Sequence, residues 1–164
     1  MNEINNSSYK PIPLKDFKAK SEEEMELISK NHLLNMKSRH TIRDFSNKKV
    51  PFSIIKNCIK VACSAPSGAN LQPWHFSIIS SKLVKSKIRK AAEIEEQKFY
   101  DDLKKDEWLK ALEPLGTHAD KPHLEVAPWL IVVFSERYSQ LSNGEKRKNY
   151  YVPESVGIAT GFLI

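Results

Sequence analysis

Apolar residues recur at helical spacing in four stretches of the chain and at strand spacing in two, and the order of these stretches sets the architecture. Met25, Leu27, Ile28, Leu33, Leu34 and Met36 form a wide apolar side on a segment opened by a capping box, Ser21 with Glu24 three residues on, which predicts a helix over 21–37. Val50-Pro51 opens a second helix, in which Ile54, Ile55, Cys58, Ile59 and Ala62 repeat at three and four and predict a buried face. Residues 74–80 alternate partly, Trp74 and Phe76 against His75 and Ser77, as a strand does. A long helix is predicted over 82–105 from Leu83, Ile88, Ala91, Ala92, Phe99 and Leu103. The continuous β-branched and aromatic run at 127–134 predicts a central strand buried on both faces. Pro153-Glu154 open a last apolar helix that is still running at Ile164.

The segments between these elements lack a period. Residues 1–20, with Pro11 and Pro13 among polar residues, predict an extended arm ahead of a domain over 21–164. Residues 106–126 mix Trp108, Pro114, Gly116, His118, Lys121 and Pro122, the composition of a mobile cover, and Asn143-Gly144 mark a polar loop. Helices flanking a central strand give an α+β or three-layer α/β/α domain. No dinucleotide fingerprint is present, since the glycines are Gly68, Gly116, Gly144, Gly157 and Gly161.

At 164 residues and 40% hydrophobic content, the chain can bury one core. The net charge of +6 suits anionic or phosphorylated ligands and equally permits a nucleic-acid surface. The lysines are scattered rather than banded, however, and no basic motif is interleaved with aromatics, so a nucleic-acid partner is not expected. Cys58 and Cys63 have no metal-ligand spacing and read as core thiols of a reducing compartment. No metal is expected. A polar N-terminus and an apolar run too short to cross a bilayer predict a soluble, cytoplasmic protein without a membrane partner. Gly161-Phe162-Leu163-Ile164 stop inside an apolar pattern with no cap, which predicts a domain truncated at its C-terminus.

Three stretches carry candidate chemistry. Ala65-Pro66-Ser67-Gly68-Ala69-Asn70 form a small-residue turn between helix and strand, whose backbone N–H groups a flat ligand can approach; an ordinary Pro/Gly loop has the same composition. Arg39 and Arg43, with the Thr41 hydroxyl between them, can meet one phosphate, or form a solvated basic turn. Glu96 and Tyr100 share a helix face, where a carboxylate and a phenol can reach one ligand or simply face water.

Taken together, Arg39-His40-Thr41-Ile42-Arg43, Val50-Pro51, Ala65-Pro66-Ser67-Gly68-Ala69 and Gln72-Pro73-Trp74 resemble the flavin-dependent nitroreductase superfamily, and within it the iodotyrosine deiodinases. The resemblance covers nearly the whole chain after the arm. It implies a three-layer FMN fold with a central mixed sheet, continued in the family by a threonine-bearing segment near flavin N5 and a further phosphate-binding arginine. FMN is the implied cofactor, with Arg39, His40, Thr41, Ile42 and Arg43 at its phosphate and ribityl chain and Pro66, Ser67 and Gly68 against its ring. His40 stands where an arginine is common and, when neutral, offers one donor in place of a guanidinium fork.

For the substrate, the resemblance implies that Glu96, Tyr100 and Lys121 grip an amino-acid zwitterion. The Ala69 N–H, as the catalytic contact, would meet the substrate phenolate. The implied activity is reductive dehalogenation of halotyrosines in a homodimer whose flavin sites draw on both subunits. NAD(P)H would supply electrons directly or through a separate reductase. A general NAD(P)H-dependent nitroreductase acting on nitroaromatics or quinones is the alternative among enzymes. Outside enzymes stand a basic nucleic-acid-binding module and a non-catalytic remnant.

Overall fold

The computed structural model describes residues 12–102, 110 and 112–164. The first part of the arm, with Leu103, Lys105 and Trp108 of the helix end and cover, lies outside the described residues. The chain divides into two units, Met1–His40 and Thr41–Ile164, so the expected boundary at residue 20 falls within the first of them.

In the first unit, residues 12–21 form no helix or strand, and α1 (Glu22–Ser38) follows. The expected capping box starts it: Glu24 donates its N–H to Ser21 Oγ at 3.2 Å, and Ser21 donates its N–H to Glu24 Oε2 at 3.0 Å. Glu22, Glu23 and Glu24 in the first turn complement the positive end of the helix dipole. No residue of α1 is buried, and all six residues of its apolar side are exposed.

The second unit opens with α2 (Phe52–Ala62), a 3₁₀ turn (Gly68–Asn70), β1 (Trp74–Ile79) and α3 (Lys82–Asp102). A 3₁₀ turn (Glu113–Leu115), the one-turn helix α4 (His123–Val126) and β2 (Leu130–Ser135) come next. It closes with β3 (Tyr138–Gln140), β4 (Lys146–Lys148) and α5 (Val152–Leu163). β1 and β2 pair antiparallel, from Trp74 opposite Ser135 to Ile79 opposite Leu130. β3 and β4 form a hairpin around Asn143-Gly144, where Gly144 takes φ 84° and Asn143 Oδ1 accepts the Glu145 N–H at 3.0 Å.

The class is α+β, as expected, but several elements differ in detail. Among the described residues both sheets are two-stranded and antiparallel, narrower than the mixed sheet the resemblance implied. β2 is not buried on both faces: residues 130–133 are half-buried and Phe134 is exposed. Its one bonded neighbour is β1, so α5 is left to pack against this narrow ribbon. The strand also begins later than the apolar run, because Ala127 caps α4 and Pro128 has no N–H for a ladder. The face of α2 is likewise only partly covered, with Ala62 buried and Ile54 exposed. The polar loop at Asn143-Gly144 is a hairpin.

The core matters because of what it holds. Ala65, Trp74 and Ala159 are buried together, with Cys63, Phe76 and Val156 packed around them and Pro73 fully enclosed beside Trp74. The small-residue turn is therefore strung between two core anchors, Ala65 before it and Pro73-Trp74 after it, against α5. Cys58 and Cys63 are free and half-buried. Lys85 is 5% exposed and donates to the carbonyls of Glu125 at 2.9 Å and Ala127 at 2.7 Å, fastening α3 to the end of α4. No helix among the described residues is long and apolar enough to cross a membrane.

Candidate functional site

The turn between α2 and β1 is a strained backbone stretch built from small residues. Ala69, Asn70 and Gln72 all take positive φ, at 50°, 53° and 47°, a conformation most side chains avoid and one that persists only where its surroundings hold it. Here the holding contacts are visible. Ser67 Oγ accepts the Gln72 N–H at 2.9 Å and closes the loop, while Gly68 donates its N–H to Ser155 Oγ on α5 at 3.3 Å. A Cβ on Gly68 would come within 2.8 Å of Tyr151 Cδ2 and 3.3 Å of the Tyr150 carbonyl, so only glycine lets this backbone lie against the start of α5. The Ala69 N–H donates to no acceptor among the described residues. Pro66, Ser67 and Gly68 line a cavity of about 270 Å³ with Tyr151, Ser155 and Ile158.

The second constellation lies on α3 and the segment leading to α4. Lys121 Nζ meets Glu96 Oε1 at 2.7 Å and also donates to the His118 carbonyl at 2.6 Å. Glu96 and Lys121 are thus together, 25 residues apart in sequence. Tyr100 is one turn along α3 and packs edge-on against Phe99 with ring centres 5.7 Å apart; no hydrogen bond joins its hydroxyl to either partner. Around the pair runs a wider ionic network. Arg89 Nε donates to Glu93 Oε1 at 2.6 Å and Arg89 Nη2 to Asp120 Oδ1 at 2.6 Å, while the Lys121 N–H donates to the same Glu93 Oε1 at 2.8 Å. The Arg89 guanidinium and the Lys121 N–H hold the Glu93 carboxyl down to about 2, and Glu93 with Asp120 raises the Arg89 guanidinium. The described end of the expected mobile cover is therefore anchored to α3.

Of the five residues expected at a phosphate, Arg39 caps α1 and His40 follows it, both exposed in the first unit. Thr41, Ile42 and Arg43 are exposed in the second. Thr41 and Arg43 line a polar cleft of about 350 Å³ together with Asp120, Lys121 and His123. The His123 ring is pushed below its ordinary value, first by burial and then by the charges of Lys121, Arg43 and Arg89, so it is neutral at pH 7. Two predicted groups, the Thr41/Arg43 pair and Lys121, thus share one cleft, while the turn lines another cavity.

Sequence reasoning did not single out Arg89, Glu93 or Asp120. Arg89 and Glu93 stand four apart, a readable helix pairing, but the link to Asp120 and Lys121 depends on where residues 116–122 fold back. Ser155 and Tyr151, which hold the turn from behind, lie in the Tyr150-Tyr151 and Glu154-Ser155 stretch that shares the family resemblance, but no periodicity or spacing assigns them that role. Among the described residues no cluster of metal-binding side chains occurs.

Residues 36–164 match the family model described as the nitroreductase family. The chain is 50% identical over 142 residues to iodotyrosine deiodinase of Haliscomenobacter hydrossis, covering 87% of this chain and 64% of that protein. It is 37% identical over 157 residues to human iodotyrosine deiodinase 1, covering 96% of this chain and 52% of that one. The chain thus spans about half to two-thirds of the length of these curated relatives. Its fold superposes with a TM-score of 0.68 and 36% identity on a crystal structure of oxidized iodotyrosine deiodinase bound to FMN and 3-iodo-L-tyrosine, over 78% of this chain and 64% of that one.

Proposed function

The chain belongs to the nitroreductase family, and from that premise we propose that the protein is an FMN-dependent oxidoreductase that reductively removes halide from halotyrosines. The observation that carries this reading is the Glu96–Lys121 pair, a carboxylate and an ammonium 2.7 Å apart with no competing acid on the Lys121 Nζ among the described residues. Opposite charges on facing elements mirror a zwitterion: Glu96 takes the substrate ammonium, Lys121 takes its carboxylate, and one resident ion pair is exchanged for two. Tyr100, on the Glu96 face of α3, supplies a hydroxyl to the same end of the substrate.

The residues present fit FMN. Pro66, Ser67 and Gly68 line a cavity of about 270 Å³ beside the turn, and small residues there let a flat ring come close to the backbone. Thr41 and Arg43 carry no hydrogen bond or ion pair among the described residues, and so remain open to a phosphate. Thr41, Ile42 and Arg43 with Pro66, Ser67 and Gly68 are the proposed FMN contacts; Arg39 and His40 are proposed on the resemblance alone. When bound, FMN in its reduced form supplies the two electrons that, with a proton, replace the aryl carbon–halogen bond by carbon–hydrogen as halide leaves with the bonding pair.

The chain's own groups orient and polarise. The unpaired Ala69 N–H donates to the substrate phenolate and stabilises negative charge there. Glu96 and Lys121 fix the other end of the substrate and so orient its ring. A homodimer is proposed on the family resemblance and on the exposed apolar residues of α1, which a second copy would cover. The proposed electron source is NAD(P)H, used directly or through a reductase.

The test is spectroscopic. The FMN-loaded protein titrated with 3-iodo-L-tyrosine and with 2-iodophenol should bind the amino acid at least tenfold more tightly. Equal affinities, with rapid flavin reduction by NAD(P)H and turnover of nitroaromatics, would transfer the protein to the general nitroreductases.

A further inference from the structure

We propose that Arg89 and Glu93 are positioning residues that set Lys121 opposite Glu96, and so determine the preference for a zwitterionic substrate over a plain phenol. This rests on the dehalogenase reading above and assigns roles to two residues that reading leaves unused. Arg89 directs three nitrogens to three carboxylates: Nε to Glu93 at 2.6 Å, Nη2 to Asp120 at 2.6 Å and Nη1 to Glu125 at 3.6 Å. Asp120 lies immediately before Lys121 and Glu125 four residues after it, so the guanidinium brackets Lys121 from both sides. Glu93 adds a direct hold, accepting the Lys121 N–H at 2.8 Å on the oxygen that also receives Arg89.

The backbone at Lys121 is therefore fixed against α3 three residues from Glu96, where residues 93 and 96 share a helix face. From that position the Lys121 ammonium reaches Glu96 at 2.7 Å. Only a planar guanidinium can serve these acceptors at once; a lysine at position 89 is a single point charge on a flexible stem. Glu93 stays ionised throughout the working pH range, with its carboxyl held near 2, so the arrangement does not switch off near neutrality. Lys85 independently fastens α3 to the end of α4 through two carbonyls, so that junction keeps a second link when Arg89 or Glu93 is replaced.

The experiment measures the affinities of FMN-loaded wild type, Arg89→Lys and Glu93→Ala for 3-iodo-L-tyrosine and 2-iodophenol, by quenching of flavin fluorescence. Both variants should lose tenfold or more of the wild-type preference for iodotyrosine, with 2-iodophenol affinity and the flavin spectrum within twofold of wild type. An unchanged preference in both variants, or parallel weakening of both ligands, would overturn the positioning role while leaving the dehalogenase reading intact. A wild type that does not prefer iodotyrosine would overturn both.

Discussion

Replacing Glu96 by alanine separates two roles of one carboxylate, the ion pair present in the fold and the proposed grip on a substrate ammonium. In the folded chain Glu96 is paired with Lys121 at 2.7 Å, with side chains 35% and 16% exposed, so water still screens the pair. Such a pair contributes about 0.5–1 kcal/mol to folding. Glu96→Ala should therefore lower the melting temperature by only about 1–4 °C for a domain of this size. In the proposed complex the same carboxylate would meet the substrate ammonium, a charged hydrogen bond of about 1.5–3 kcal/mol. Wild-type protein must first open the Glu96–Lys121 pair and the variant need not, which offsets about 0.5–1 kcal/mol and leaves a net loss of about 0.5–2.5 kcal/mol, or ~2–70-fold in Kd. Titration of the FMN-loaded variant with 3-iodo-L-tyrosine reads this number directly, and 2-iodophenol, which has no ammonium, should bind within twofold of wild type. An unchanged Kd for iodotyrosine would remove Glu96 from the site. An equal loss for both ligands would make its role structural.

Other perturbations follow from contacts at hand. Gly68→Ala drives a Cβ to 2.8 Å from the Tyr151 ring, and overpacking of this kind should cost about 1–3 kcal/mol in urea unfolding, most of it recovered in Gly68→Ala/Tyr151→Ala. Lys85→Met leaves the carbonyls of Glu125 and Ala127 without their buried donor and should destabilise by about 1–3 kcal/mol, with faster hydrogen exchange in residues 123–127. His123 has its folded value pushed below the ordinary 6.5, so the unfolded chain binds the extra proton first: its contribution to stability is full above pH 6.5 and is lost as pH falls below it. Urea unfolding at pH 7.5 and 5.5 should show that slope in wild type and a smaller one in His123→Phe. For Glu93, lowered from 4.5 to about 2, the contribution is full above pH 4.5 and disappears between 4.5 and 2, so Glu93→Gln should flatten acid unfolding in that window.

How much of this was legible beforehand depended on the range of each interaction. The capping box at Ser21 and Glu24, the long helix expected over 82–105 and the turn at residues 65–70 are local patterns, and the structure reproduces them as far as the described residues reach, the helix from Lys82 to Asp102. The hairpin around Asn143-Gly144 is equally local, but its flanks of three residues each, largely basic in β4, carry too little apolar alternation to predict strands. The burial of the 127–134 run was overstated, since an apolar strand pattern does not disclose how many neighbours will cover it. At the site, the Glu96–Lys121 match came from resemblance rather than periodicity, and the geometry then brought the two within hydrogen-bond distance. Arg89 escaped notice because its second and third partners, Asp120 and Glu125, lie 31 and 36 residues away and meet it only after the chain has folded back on α3.

In the proposed reaction, electrons from a flavin on the small-residue turn expel halide from an amino acid held by Glu96 and Lys121. Its most direct test is an anaerobic single turnover: the FMN-loaded protein is reduced by one equivalent of dithionite, mixed with 3-iodo-L-tyrosine, and the iodide is counted. About one iodide and one tyrosine per flavin should appear, with the flavin returned to its oxidised absorption. A flavin that stays reduced with no iodide released, while a nitroaromatic reoxidises it at once, would contradict it.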